Sequence, residues 1–199
     1  MYLENSLRLD SKEIMISSIL GVVAGIIASI VERADSAITG GNATPLGFVN
    51  TYTWLLVSAA LFGPLGAIIT TEVQAFLGLI TAANPLSWLW LPVNFIFATV
   101  LGFVSVGISR LDRKIGIRTR LILMSVTCAL LDIPLTYLVV VMVLGLPFIF
   151  YLGALPMYIT LQLIPSTLLS YVILRAVLGS RIIGKRGNHF CQKFEERQI

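Results

Sequence analysis

The sequence predicts an all-α integral membrane protein, a bundle of six transmembrane helices with both termini in the cytoplasm. Three observations predict it. First, 57% of the 199 residues are hydrophobic and only 12% are charged, whereas a soluble domain carries roughly 25% charged residues. So few charges cannot cover a globule of this size, and the missing polar shell implies the lipid bilayer as solvent. Second, the cations are gathered: Arg8 and Lys12 before the first apolar run, Arg110, Arg113, Lys114, Arg118 and Arg120 together, and Arg175, Arg181, Lys185, Arg186, Lys193 and Arg197 near the end. Third, no basic residue occurs from Ala34 to Ser109 or from Leu121 to Leu174. This is the positive-inside pattern of a multi-pass protein. The formal charge of +4 therefore belongs at the membrane surface, and no nucleic-acid partner is expected.

A spanning helix needs about 20 mostly apolar residues. Ile14 to Val31 is the first run of that kind. A secretory signal is the alternative, but Glu4, Asp10 and Glu13 make the preceding segment a poor n-region, so the run is read as a span. A polar loop, Glu32 to Asn50, follows. Thr51 to Ile80 is too long for one helix and short for two. Gly63-Pro64-Leu65-Gly66 divides it, because proline lacks a donor and glycine tolerates a tight turn; the first half is partly tilted or starts earlier, near Phe48. Asn84-Pro85 is a turn signal. Trp88 to Ser109 is the fourth span and Leu121 to Leu144 the fifth, closed by Gly145-Leu146-Pro147. Phe148 to Val177 holds the sixth, which Pro156 and Pro165 kink or break. Residues 1–180 thus form one transmembrane domain, and 181–199 a basic cytoplasmic tail.

With the N-terminus inside, the basic loop and the tail also face in, and of the fourteen cations only Arg33 faces out. An odd number of spans would strand one basic cluster outside. Tyr52, Trp54, Trp88 and Trp90 fall near the outer surface. They form an interfacial belt, or one or two of them stack on a flat ligand. Cys128 and Cys191 sit in different environments and make no disulfide framework. Asn42-Ala43-Thr44 matches a glycosylation sequon, but nothing else suggests a secretory pathway.

Two acids lie in the lipid zone, Glu72 in the third span and Asp132 in the fifth. A charge there costs at least ~2.5–3.5 kcal/mol, and no span offers a Lys or Arg at that depth. The acids are protonated, or bond to polar neighbours, or face water and a ligand. Neighbours exist: Thr70 and Thr71 beside Glu72, Asn94 on the fourth span, and Tyr158 and Gln162 four residues apart on one face of the sixth. A cavity among these groups suits a cationic or hydrogen-bond-donating small molecule; Asp132, preceding Ile133-Pro134, alternatively accommodates a kink. In the first span Ser17, Gly21, Ala24, Gly25 and Ala28 share a small-residue face. Small-xxx-small spacing lets helix backbones approach closely. It serves packing within the bundle or docking of another membrane subunit.

Absent motifs narrow the function. There is no G-x-x-x-x-G-K-[ST] and no H-E-x-x-H. His189, the only histidine, stands with Cys191 alone, so no metal site and no cofactor are expected. No serine has a histidine at membrane depth to activate it, and an enzyme is not expected. Transport then requires proton coupling through Glu72 or Asp132, or an ATPase partner. A structural or assembly subunit of a membrane complex is a third reading.

At this point the chain resembles the substrate-binding S components of energy-coupling factor transporters, over most of its length. Ala24-Gly25-Ile26-Ile27-Ala28 is similar to that family's A-x-x-x-A contact with a coupling subunit. Gly63-Pro64-Leu65-Gly66-Ala67 resembles its G-P-x-G turn before the third helix. The resemblance implies a subunit that captures a vitamin or metal ion from outside and docks on a transmembrane coupling subunit and two ATPase subunits. By region it implicates the Glu32–Asn50 loop, Asn84, Trp88, Asn94, Tyr158 and Gln162 in binding. Thr71-Glu72-Val73-Gln74-Ala75-Phe76-Leu77 followed by Asn84-Pro85 looks like the hydroxymethylpyrimidine/thiamine branch. The stretch before Ile14 lacks the histidine run of nickel and cobalt members, which argues for an organic ligand.

The topology has a direct check. Cysteines substituted at Arg113 and Arg186 should react with a membrane-impermeant thiol reagent from the same side of intact vesicles; reaction from opposite sides would remove the six-span reading.

Overall fold

The computed structural model describes residues 9–39, 44–81, 87–111 and 115–179. The sequon at Asn42, the Asn84-Pro85 turn, His189, Cys191 and the 181–199 tail lie outside the described residues. Among the described residues the chain is helical, with no strand. The helices are α1 (Ser11–Thr39), α2 (Pro45–Ile80), α3 (Ser87–Leu111), α4 (Ile117–Tyr137), α5 (Phe148–Leu161) and α6 (Thr167–Gly179). α4 runs on through a π-helical turn, Leu138–Val143, and α5 joins α6 through another, Gln162–Ser166. Counted as continuous stretches, five are long and apolar enough to cross a membrane.

α1 starts on a reciprocal cap. Asp10 N–H donates to Glu13 Oε2 at 3.0 Å, and Glu13 N–H donates to Asp10 Oδ1 at 2.8 Å, which satisfies two donors that a helix start leaves free. The helix then continues past Val31 to Thr39 and α2 already starts at Pro45, so most of the predicted polar loop from Glu32 to Asn50 is helical. The reason is local: no glycine or proline interrupts the chain between Gly25 and Gly40. Glu32 and Asp35, three residues apart, turn to one buried side.

α2 is the centre of the fold. Its 36 residues contain Gly63 at φ 67° and ψ −154°, followed by Pro64. Glycine enters this left-handed region without a Cβ penalty, and Pro64 cannot donate to the preceding turn. The chain reverses there. Gln74 Nε2 donates to Thr51 Oγ1 at 2.6 Å, whereas a straight helix would hold residues 51 and 74 about 35 Å apart. Both arms of this hairpin reach α1: Asn50 Nδ2 donates to the Ala24 carbonyl at 3.0 Å and Thr70 Oγ1 to the Ser17 carbonyl at 3.0 Å. α3 passes the tip so closely that a Cβ on Gly102 would overlap the main chain of Pro64.

The small residues of α1 are used in this packing. Ser17, Gly21, Ala24, Gly25 and Ala28 are all buried. A Cβ on Gly21 would sit 2.6 Å from the Thr70 carbonyl oxygen, and one on Gly25 would sit 2.8 Å from Leu77 Cβ. The face considered for a docking partner is therefore occupied by the chain's own second arm of α2. The surface that α1 leaves open is the opposite one, with Ile19, Val22, Ile26 and Ile30 exposed.

The bundle is apolar outside and mixed inside. Its exposed residues include Ile30, Leu130, Met142, Ile149 and Val172 at 62–69%, while Ser58, Thr70, Thr71, Ser105, Gln162, Ser166 and Ser170 are buried. Most of these hydroxyls are satisfied by carbonyls, as where Ser170 Oγ donates to the Thr53 carbonyl at 3.1 Å, whereas Ser105 Oγ is buried without a partner. Several apolar helices with this inverted distribution suggest a multi-pass membrane protein.

Gly102→Ala should destabilise the protein by about 1–3 kcal/mol, the range for overpacking a filled site. Gly107→Ala in the same helix, where a Cβ meets nothing within 4 Å, should be neutral or mildly stabilising. Unfolding by SDS titration in mixed micelles measures both.

Candidate functional site

Asp35 anchors the start of α2. Its Oδ1 accepts from Leu46 N–H at 3.2 Å and its Oδ2 from Gly47 N–H at 2.8 Å. These are donors of the first helical turn, which find no partner within their own helix, so the carboxylate ties the end of α1 to the beginning of α2. One turn earlier on the same face is Glu32, 8% exposed. Its chain passes over Gly47, where a Cβ would meet Glu32 Cγ at 2.7 Å. Its Oε2 is buried without a hydrogen-bond partner.

Glu32 forms one wall of a pocket. Thr44 and Gly47 stand beside it, Trp90 and Asn94 of α3 contribute the other wall, and Phe48, Thr51 and Tyr52 complete the lining. Asn94 is held by α2: its Nδ2 donates to the Thr71 carbonyl at 3.4 Å. The cavity measures about 10 Å³, the space of a single water. A vitamin-sized ligand, whose pockets run to about 300 Å³ or more, requires these walls to part.

Tyr52 belongs to two environments. Its ring lines the pocket, and its hydroxyl donates to Asp132 Oδ1 at 3.1 Å. Phe97 meets that ring edge-on at 5.3 Å. Asp132 is 3% exposed, and its Oδ2 has no partner. Gln162 lies beside the Tyr52 hydroxyl and is 1% exposed, yet neither amide atom meets hydrogen-bond geometry with a neighbour. Tyr158 stacks on Phe48 with centroids 4.4 Å apart and planes inclined by 21°, and Phe48 packs on Tyr52 at 4.4 Å. Each buried polar group left unpaired costs about 1–3 kcal/mol. The site therefore holds free hydrogen-bonding capacity on both sides of Tyr52, at Glu32 Oε2 and at Asp132 Oδ2 with Gln162.

Four of the seven residues expected to bind substrate gather here: Asn94, Asp132, Tyr158 and Gln162 all stand at the Phe48–Tyr52 pair or its pocket. Trp88 does not. It is 51% exposed, while Trp90 faces inward, because two residues rotate a helix by about 200°. Glu72 does not line the pocket either. It is partly buried on the side of α2 that also carries the exposed Phe76 and Leu79, and its Oε1 is enclosed without a partner. Asn84 lies outside the described residues. Tyr52, expected among the surface aromatics, is buried at the centre of the site, and Asp35 and Phe48 join it without any separate signal in the sequence. The signal for the acids was available: Glu32 and Asp35 share one helical face. Among the described residues no group of three or more His, Cys, Asp or Glu is arranged to hold a metal ion.

Compared with family models, curated proteins and solved structures, the chain matches none.

Tyr52→Phe strands Asp132 Oδ1 and should cost about 1–3 kcal/mol in SDS unfolding. Combined with Asp132→Leu, the loss should fall short of the sum of the single losses by at least about 0.5 kcal/mol. Strict additivity would mean that the hydrogen bond contributes nothing.

Proposed function

We propose that this chain is the membrane-embedded, substrate-binding subunit of an ATP-driven importer of the energy-coupling factor type. It takes up a small organic micronutrient that offers N–H donors or a cationic centre. The observation that carries this reading is the arrangement around Tyr52: a carboxylate with an unmet oxygen on each side, at Glu32 and Asp132, and aromatic rings between them. Acceptors without donors, enclosed by Phe48, Tyr52, Tyr158 and Trp90, suit a flat molecule that brings the missing hydrogens. Thiamine or its pyrimidine precursor has this chemistry, in line with the sequence resemblance.

With the hairpin of α2 counted as two crossings, the chain crosses the membrane six times and both termini are cytoplasmic, as the cation pattern requires. The pocket then opens toward the outside. A coupling subunit meets the open apolar face of α1, and two ATPase subunits supply the driving force, since the chain has no nucleotide motif of its own.

A second reading draws on one observation, the buried Asp132 with a free oxygen. An intramembrane acid of this kind serves proton relays in carriers that work alone. The two readings separate experimentally. Mass spectrometry of small molecules retained on the purified chain should find a compound with an N–H donor or cationic nitrogen. Asn94→Ala and Glu32→Gln should each weaken its binding by about ten-fold, the scale of a lost charge-assisted hydrogen bond. Liposomes holding the chain alone should show no uptake under a proton gradient. Gradient-driven uptake that Asp132→Asn abolishes would instead establish the carrier, and the absence of any bound molecule would favour an assembly subunit.

A further inference from the structure

At the end of the bundle where α4 begins and α6 finishes, two arginines converge on one ring. Arg118 Nε donates to the Tyr171 hydroxyl at 3.1 Å, and its Cζ lies 5.0 Å from the ring centroid. Arg175 Cζ lies 5.8 Å from the same centroid. Both guanidiniums are exposed, and among the described residues neither is paired with a carboxylate; Tyr171 is the contact they share. Two guanidiniums gathered at one phenol raise the local positive potential, which an anion bound beside them would offset. Two guanidiniums and a phenol hydroxyl present planar donors of the kind that phosphate oxygens accept.

The surface next to this cluster is apolar. One turn deeper on α4, Ile122 is 54% exposed; on α6, Leu168 and Val172 are 61% and 62% exposed. By helical spacing Ile122 continues the face of Arg118, Leu168 that of Tyr171 and Val172 that of Arg175. α4 and α6 stay joined behind them, where Ser125 Oγ and Thr167 Oγ1 share a hydrogen bond of 2.5 Å. A basic cluster at the end of two joined helices, continued inward by an exposed apolar strip, has the polarity of a phospholipid.

We propose that Arg118, Tyr171 and Arg175 bind the phosphate of an anionic phospholipid, with an acyl chain lying along Ile122, Leu168 and Val172. The site is separate from the Tyr52 pocket and does not depend on what that pocket carries. A cation near an anionic lipid surface contributes about 1 kcal/mol, so two arginines correspond to about 30-fold in affinity.

Native mass spectrometry of the full chain in micelles tests this, with dioleoylphosphatidylglycerol and dioleoylphosphatidylcholine added in equal amounts. The anionic phosphatidylglycerol should be retained in preference, and excess inorganic phosphate should not displace it. Arg118→Gln with Arg175→Gln should weaken its retention by about 30-fold while the SDS unfolding midpoint in the absence of added lipid stays within the spread of replicates. Leu168→Trp with Val172→Trp, which leaves the cations in place, should also weaken it by obstructing the acyl strip. Equal retention of the two lipids, undiminished retention by the arginine variant, or displacement by phosphate would each overturn the assignment.

Discussion

A bilayer offers no water to an unpaired backbone group, so a turn made inside it must be enclosed by protein. The reversal at Gly63–Pro64 meets this requirement, and the rest of the bundle is arranged around it. Its contact with Gly102 lies nine residues before the end of α3, about 13 Å along that helix. Gly66, just past the tip, lies against Ser17 of α1, only six residues into that helix. The tip is recessed rather than projecting, and both Gly63 and Pro64 are buried. Glycine is needed twice for this: at position 63 for its backbone angle, and at position 102 because nothing larger clears the proline.

Once the hairpin is seated, the polar chemistry follows. Its two arms are linked at Gln74 and Thr51, and its first arm carries Phe48 and Tyr52 into the middle of the molecule. Asp35 secures the opposite end of that arm from α1. The pocket wall contributed by α3 is set by Asn94, which bonds to the second arm. Every wall of the site is thus referred to α2. Glu32 and Asp132 are referred to its first arm, at Gly47 and Tyr52, and Asn94 to its second, at Thr71.

Much of the architecture could be read from residue order, because lipid imposes a simple rule. Apolar runs of spanning length and the gaps between cations located the helices, and Gly63-Pro64 announced the reversal. The boundary near Glu32 differs from the expected one because polar residues read as loop, although Glu32, Arg33 and Asp35 are compatible with helix and two of them face inward. The site was partly legible. Tyr158 and Gln162 were paired correctly by their four-residue spacing, and Asp132 and Asn94 stood out as polar residues in apolar runs. From the sequence Trp88 is named for binding, whereas Trp90 lines the pocket; both are aromatic near one surface, and only the rotation of α3 separates them. Glu72 looked equivalent to Asp132 in sequence. The difference lies in which side of α2 it occupies, and that depends on how the hairpin is seated between α1 and α3. The small residues of α1 carried two meanings in sequence, and packing against Thr70, Val73 and Leu77 selected one.

The π-helical turn from Gln162 to Ser166 has a mechanical meaning. Pro165 has no N–H, and Ser166 Oγ and Thr167 Oγ1 instead donate to the Leu161 and Gln162 carbonyls five residues back, at 2.9 and 3.2 Å. Such a turn accommodates one residue more than an α-helix does over the same length, and so shifts the azimuth of everything beyond it by about 100°. Tyr158 and Gln162 before the bulge, and Ser166 and Ser170 after it, can therefore all point at α2. In an uninterrupted α-helix these four residues, spaced four apart, would drift by about 40° per step and spread over about 120°; the bulge takes back most of that drift, so the irregular winding works as a phase corrector that keeps Tyr158 on Phe48, Ser166 Oγ on the Val49 carbonyl and Ser170 Oγ on the Thr53 carbonyl.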